Sequence, residues 1–162
     1  MLCMGKTSAG LLMYRRRNET LDVFLVHPGG PFWSKKDLGA WSIPKGEYQP
    51  DEGPLAAAQR EFTEETGVQP GEPSFIELAP ATQPGGKVIR AWAFEGDADP
   101  TTIISNTFSM EWPPRSGQQQ TFPEVDRAAW FPIDEATQRI LKGQIPLLVE
   151  LQRLLSDGFP SE

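Results

Sequence analysis

Three glutamates are the residues of this sequence whose type and spacing most clearly indicate chemistry. They lie in the window 60–65 (REFTEE), and if that window is helical, Glu61, Glu64 and Glu65 share one face. Like charges at these spacings repel, and the C-terminal end of a helix disfavours anions. A hard divalent cation would relieve the repulsion, because carboxylate oxygens are the ligands that it prefers. The alternative is a solvated acidic face that holds no ligand.

Residues on both sides of the window extend the pattern. Gly46, Glu52 and Arg60 precede the glutamates and Gly67 follows them, so that 46–68 has the spacing Gly-x5-Glu-x7-Arg-Glu-Phe-x-Glu-Glu-x-Gly-Val. This spacing resembles the signature of the Nudix hydrolase superfamily, with Phe62 where an aliphatic residue is more usual. The resemblance implies an α/β/α sandwich and the metal-dependent hydrolysis of a pyrophosphate bond in a nucleoside diphosphate linked to another group.

The resemblance also implies a metal site. Glu61, Glu64 and Glu65 would be its carboxylates, with the carbonyl oxygen of Gly46 as a further ligand and Mg²⁺ as the ion, Mn²⁺ being the second candidate. A backbone that approaches a metal or a phosphate closely leaves no room for a Cβ, which gives position 46 a reason to be glycine. The alternative for Gly46 is an ordinary turn glycine after Pro44.

Four other residues have implied roles around the metal. Arg60 is expected to hold a carboxylate of the motif in a bidentate pair, and Glu52 to be a structural partner. The alternative for both is a surface ion pair worth under about 1 kcal/mol. Gly67 is expected to end the helix of the motif. Glu64 is our preferred general base, and Glu124 is the second candidate or an extra ligand, unless it is a solvated loop residue.

Residues outside the motif should select the substrate. Lys45 is placed to meet a phosphate, and Trp33, Tyr48 and Trp112 are candidates for stacking a purine base, with core or loop packing as the alternative for each aromatic. The stretch 41–46 (WSIPKG) is similar to an entry to the motif found in diadenosine polyphosphate hydrolases. This similarity favours a dinucleoside polyphosphate over a nucleoside triphosphate or ADP-ribose.

Elements on both sides must position these residues. Pro54 suits the first turn of a helix and Gly67 its end, so we predict a helix over 54–66. Alternating or apolar runs predict strands, with two helices near the end of the chain. The strands are expected at 8–15, 21–27, 40–43, 74–79, 87–94, 102–112 and 128–131, a loop at 113–120, and the helices at 134–141, capped by Asp134, and 144–155. This order favours an α+β fold with a mixed sheet, and we predict one domain over 1–162.

The net charge, cysteine count and apolar runs of the sequence limit the partners that we expect. The 162 residues carry a net charge of −7, which disfavours long nucleic acid, where neutralising phosphates dominates affinity. The single cysteine, Cys3, allows no internal disulfide. We find no signal peptide and no apolar run long enough to span a membrane, and so expect a cytoplasmic monomer or homodimer acting on a small nucleotide. The competing hypothesis is a nucleotide-binding or regulatory module that keeps the fold without turnover.

Overall fold

The computed structural model describes residues 7–156, in which nine strands and three α-helices form a layered fold. The strands are β1 (Thr7–Arg17), β2 (Thr20–Pro28), β3 (Lys45–Glu47), β4 (Ile76–Glu77), β5 (Ala81–Thr82), β6 (Val88–Glu95), β7 (Thr107–Glu111), β8 (Gln119–Pro123) and β9 (Val125–Pro132). The helices are α1 (Pro54–Thr66), α2 (Ile133–Arg139) and α3 (Ile145–Ser156). Cys3 and the ends of the predicted domain, 1–6 and 157–162, lie outside the described residues.

A mixed sheet forms the centre of the fold. Its strand order is β4-β6-β1-β2-β9, with β3 paired to β1 and β5 paired to β6. The pairing of β1 with β6 is parallel, and the others are antiparallel. β7 and β8 form a separate two-stranded hairpin. Because β6 occupies one edge of β1, β2 and β3 share the other edge, which brings the motif strand against the first residues of β1.

The central strands are buried on both faces, and each face has its own core. On one face, Leu12 and Leu25 pack with Leu147, Leu148 and other apolar residues of the helices after β9. On the other face, Leu11, Met13 and Phe24 pack with Ala58 and Phe62 of α1. Two adjacent residues of a strand point to opposite faces, so one strand serves both cores. The predicted α+β sandwich with a mixed sheet is therefore confirmed.

The motif helix has the predicted bounds because glycine and proline bracket it. Pro54 lies at the first helical position, where its missing N–H costs nothing. Gly67 ends the helix with a left-handed φ of 76° and donates its N–H to the Thr63 carbonyl at 2.7 Å. The unusual Phe62 is fully buried and packs on Phe24 and Phe94. It thus fills a core position as an aliphatic residue would.

Several predicted elements were wrong or misplaced. Residues 40–43 do not form a strand: Trp41 and Ser42 make isolated bridges to Ile140 and Val26, and the strand that enters the motif is β3. Buried side chains made this segment look like a strand, although its backbone bonds go to two unrelated partners. Asp134 does not cap α2, because Pro132 occupies that position and the Asp134 carboxylate accepts the N–H of Glu135 instead.

Other differences concern the length of elements. The strand predicted at 74–79 is reduced to two residues, and the one predicted at 102–112 begins only at Thr107, after a single 3₁₀ turn at Pro100–Thr102. The loop predicted at 113–120 ends early, because β8 starts at Gln119. None of the helices described in residues 7–156 is both long and apolar enough to traverse a membrane.

Candidate active site

The closest approach in the motif is between β3 and α1. Gly46 lies on β3, where it pairs with Ala9 of β1, and the carboxylate of Glu61 lies directly against it. A Cβ built on Gly46 would overlap Cδ and both carboxylate oxygens of Glu61. Position 46 is therefore glycine because a carboxylate, rather than the backbone conformation, occupies the space of a side chain.

Arg60 joins the acidic side chains into one network. Its Nε and Nη2 donate to the two carboxylate oxygens of Glu52 at 2.8 and 2.9 Å, a bidentate pair. Its Nη1 donates to Glu61 at 2.9 Å and to Glu64 at 3.2 Å. These contacts raise the pKa of the Arg60 guanidinium, with Glu52 as the main cause. The Glu52 carboxylate, in turn, has a lowered pKa because of Arg60.

Glu65 has no such arginine. Burial raises its pKa to about 8, while the charge of Lys45 and a 3.3 Å bond from the Lys45 backbone N–H act in the opposite direction. The neighbouring carboxylates of Glu61 and Glu124 raise it further. Burial also raises the pKa of Glu61, opposed by Arg60 and assisted by Glu64 and Glu124. The ionised carboxylates of Glu61, Glu64, Glu65 and Glu124 outnumber the positive charges of Arg60 and Lys45, an imbalance that a bound cation would correct.

Glu124 reaches the cluster from a distant part of the chain. It lies between β8 and β9, and its side chain is exposed. Its backbone N–H donates to the Asn106 carbonyl at 2.8 Å, and the N–H of Asn106 donates to the Glu64 carbonyl of α1 at 2.9 Å. This chain of bonds explains why the charge of Glu124 acts on Glu61 and Glu65.

The donor set fits a hard divalent cation. The Glu61 carboxylate lies against Gly46, Arg60 links it to Glu64, and its charge acts on Glu65. Oxygen donors of this kind are those that Mg²⁺ and Mn²⁺ select. In the conformation described for residues 7–156, no three aspartate, glutamate, histidine or cysteine side chains are arranged so that they could hold a metal ion. Arg60 instead holds Glu61 and Glu64. A cavity of about 530 Å³ lined by Arg60 and Glu64 opens beside them.

The predicted substrate residues are less closely grouped. Lys45 is next to Gly46 and half-buried. Tyr48 packs against the core under α1, and Trp33 packs against the opposite core, with the Lys36 ammonium 5.3 Å from its ring. Trp112 lies at the end of β7, far along the chain from the motif. The structure thus brings together the motif residues and Glu124, but not the three aromatics.

Two residues that the sequence analysis did not single out contact residues that it did. Asn106 links α1 to Glu124 through its backbone, and backbone bonding leaves no mark in residue type. Phe32 is 61% exposed and contacts Trp112, with ring centroids 5.4 Å apart. The Gly-Gly-Pro stretch that precedes Phe32 could have indicated a loop that displays an aromatic ring.

Comparisons with known proteins agree with this arrangement. The NUDIX domain profile matches residues 4–151. The chain is 30% identical, over 80 residues, to the pig (Sus scrofa) bis(5'-nucleosyl)-tetraphosphatase [asymmetrical]; the alignment covers 46% of this chain and 50% of the pig enzyme. The chain therefore aligns with only half the length of that curated relative.

Two solved structures have the same fold. One is a Caenorhabditis elegans Ap4A hydrolase binary complex, with a TM-score of 0.63 and 20% identity over 94% of this chain and 98% of that one. The other is the NUDIX domain of Shewanella oneidensis NrtR complexed with ADP ribose, with a TM-score of 0.63 and 17% identity over 95% and 90% of the two chains. At these identities the likeness concerns the fold.

Proposed function

This chain belongs to the NUDIX domain family, and on that premise we propose that it hydrolyses a pyrophosphate bond in a nucleoside diphosphate linked to another group. A dinucleoside polyphosphate is the favoured substrate, and a nucleoside triphosphate is the second candidate. The observation that carries the proposal is the Glu61 carboxylate seated on Gly46, with Glu64, Glu65 and Glu124 around it. A solvated acidic face would need neither this glycine nor a half-buried Glu65 whose carboxylate accepts the Lys45 N–H.

The motif and the contact of Glu61 with Gly46 support the metal ligands that we propose. Glu61, Glu64, Glu65 and the carbonyl of Gly46 would hold Mg²⁺, with Mn²⁺ as the second candidate. A bound divalent cation would neutralise phosphate charge and lower the pKa of a water molecule. Arg60 would release its Nη1 contacts while its bidentate pair with Glu52 keeps the guanidinium in place. Lys45 would bind a phosphate oxygen, because it precedes Gly46, whose carbonyl would hold the metal, on β3.

A carboxylate must accept the proton of the attacking water. Glu64 is half-buried at the C-terminal end of α1 and lines the adjacent cavity, so its carboxylate is open to a water molecule. Glu124 approaches the same cluster from the other side and is the second candidate for this role. Water would then attack phosphorus in line with the leaving phosphate ester.

Two features support a dinucleoside polyphosphate. The relatives include enzymes named for bis(5'-nucleosyl) tetraphosphate and Ap4A, and the sequence at 41–46 is similar to the motif entry of diadenosine polyphosphate hydrolases. A module that binds nucleotides without turnover is the competing function. The complete set of motif carboxylates favours the enzyme over that module. The acidic chain fits a cytoplasmic enzyme of small nucleotides.

The test is product analysis over a panel of nucleotides with Mg²⁺ and with Mn²⁺. The panel contains diadenosine polyphosphates, nucleoside triphosphates, ADP-ribose, nucleotide sugars and NADH. Cleavage that is lost in Glu65→Gln and kept in Glu19→Gln, a control at an exposed acid in the turn between β1 and β2, would support hydrolysis at this site. Absence of turnover on the whole panel with either ion, or turnover that Glu65→Gln leaves unchanged, would contradict it. Comparison of Glu64→Gln with Glu124→Gln would then identify the base.

A further inference from the structure

A loop and a hairpin outside the motif are anchored at the same place. The loop 29–36 follows β2, and its first N–H, that of Gly29, donates to the Glu124 carbonyl at 2.9 Å. The hairpin of β7 and β8 begins after Asn106, whose N–H donates to the Glu64 carbonyl. Both segments therefore leave the candidate active site next to a carboxylate that the proposed function uses.

Glycines allow the loop to lie directly on the hairpin. A Cβ on Gly29 would overlap the carbonyl oxygen of Pro123, and one on Gly30 would lie 2.9 Å from the ring of Phe108. Gly30 also has a φ of 98°, which other residues rarely adopt. At the far end of the loop, buried His27 lies 2.6 Å from the Lys36 carbonyl through its Nε2. The loop is thus fixed at both ends and along the hairpin.

The result of this packing is an aromatic pair in which Phe32 is exposed and Trp112 is half-buried. Phe32 and Trp112 meet edge to face, with centroids 5.4 Å apart. Phe32 is the one aromatic side chain within residues 7–156 that is mostly exposed. Trp112 is held by backbone and side-chain bonds: its N–H donates to the Gln118 carbonyl at 3.0 Å, and its carbonyl accepts from Gln120 Nε2 at 2.8 Å. An ordered aromatic pair exposed beside a polar site is typical of a surface that binds a ligand.

We propose that Phe32 and Trp112 bind the second nucleobase of a dinucleoside polyphosphate, the base on the side of the chain away from the motif. This inference rests on the proposed function and adds the residues that recognise the second nucleoside. The occupant is a nucleobase because a flat π-face stacks on aromatic rings. The pair itself offers a base no charged group, so stacking rather than charge would hold the ligand there.

The distance from the carboxylates also indicates the second base. β7 is extended between Asn106 and Trp112, so the Cα atoms of these two residues lie about 20 Å apart, at about 3.3 Å per residue. Since Asn106 is bonded to Glu124, the aromatic pair lies on the order of 10–20 Å from the anchoring point at Glu124. A base at this distance needs a polyphosphate chain between it and the reacting phosphorus, as in a dinucleoside polyphosphate.

Two substrates that differ only in the second nucleoside test the inference. We would measure kcat and KM for diadenosine tetraphosphate and for adenosine 5′-tetraphosphate, using wild type, Phe32→Ala and Trp112→Ala. The variant Leu38→Ala is the control, since Leu38 is 69% exposed and lies just beyond the same loop. Stacking on an aromatic side chain corresponds to roughly 5- to 150-fold in affinity. We therefore expect the ratio of kcat/KM for the two substrates to fall about tenfold or more in Trp112→Ala, mainly through KM.

The outcomes separate the inference from the function on which it rests. Recovery of the ratio in Trp112→Phe, with unchanged melting temperatures and no effect of Leu38→Ala, would support the inference. An unchanged ratio, or an equal loss on both substrates, would overturn it while hydrolysis stands. If wild type cleaves neither substrate, the favoured substrate of the proposed function is wrong. Calorimetric binding of diadenosine tetraphosphate then decides: weaker binding by Trp112→Ala supports the pair, and equal binding overturns it.

Discussion

Replacement of Gly46 by alanine should separate function from stability. The φ of Gly46 is not in the left-handed region, and the atoms that a new Cβ meets are all at the end of the Glu61 side chain. Only that flexible end has to move. A reoriented side chain costs about 1 kcal/mol, and alanine for glycine in a compatible conformation gains about 0.4–1 kcal/mol through the unfolded state. The two effects offset each other to within about 1 kcal/mol.

The activity should change far more. The Glu61 carboxylate must leave the position it now occupies, and a displacement of about 1 Å at a catalytic group can cost about 100-fold. We expect Gly46→Ala to melt within about 4 °C of wild type, for a chain of this size, and to lose about 100-fold in kcat/KM with weaker Mg²⁺ binding. Scanning calorimetry, steady-state kinetics on the best substrate of the panel and Mg²⁺ titration measure these three quantities.

Two other glycines provide controls. A Cβ on Gly53 would have no atom within 4 Å, so Gly53→Ala should keep full activity. A Cβ on Gly10 would press on the backbone carbonyl of Pro44 and on Cβ of Lys45, which cannot move alone, so Gly10→Ala should lose about 1–3 kcal/mol of stability. If folded Gly46→Ala keeps the kcat/KM of wild type, the position of the Glu61 carboxylate against Gly46 does not matter for turnover, and the prediction is wrong. Unfolding of Gly46→Ala would refute it differently, by showing that the contact serves the fold.

Two further predictions follow from buried side chains. Burial raises the pKa of Glu65 from 4.5 to about 8. In metal-free protein, ionisation of Glu65 therefore lowers the free energy of unfolding as the pH rises from about 4.5 through 8. The melting temperature of wild type should fall more over this interval than that of Glu65→Gln, and parallel pH profiles of the two proteins would contradict the raised pKa. Phe62 is fully buried against Phe24 and Phe94, so Phe62→Ala should cost about 3–5 kcal/mol in urea unfolding. Phe62→Leu should retain most of that stability, and a small loss in Phe62→Ala would mean that the site collapses around the cavity.

The parts of the fold that could be predicted are those with local causes. The motif helix was predicted at its observed bounds because Pro54 and Gly67 fix its two ends. The first hairpin was recognisable because β1 and β2 are apolar and separated by a short polar turn. The acidic cluster was predictable for the same reason, since helical spacing alone places its three glutamates together.

The remaining elements depend on contacts that are distant in the chain. The second hairpin has few buried residues, and its packing comes from the loop that carries Gly29 and Gly30. Phe32 and Trp112 are 80 positions apart in the numbering and meet only through this packing. For the segment 40–43 the error was to predict a strand that is not there, because Trp41 is buried by tertiary contacts rather than by a sheet. Residue type reports burial, but not which backbone partner causes it.

The bonds that hold the end of α1 lie on both sides of the second hairpin rather than within it. Ile104 and Asn106, before the hairpin, donate to the last carbonyls of α1, and Val125, after it, exchanges bonds with Ser105. Residues 107–123 could therefore be replaced as a unit without breaking the backbone bonds to the end of α1. A graft that keeps 104–106 and 124–125 could replace the hairpin with another of different length, leaving the acidic end of α1 intact. The segment beside the candidate active site could thus be changed in the laboratory while the helix that carries the glutamates is kept.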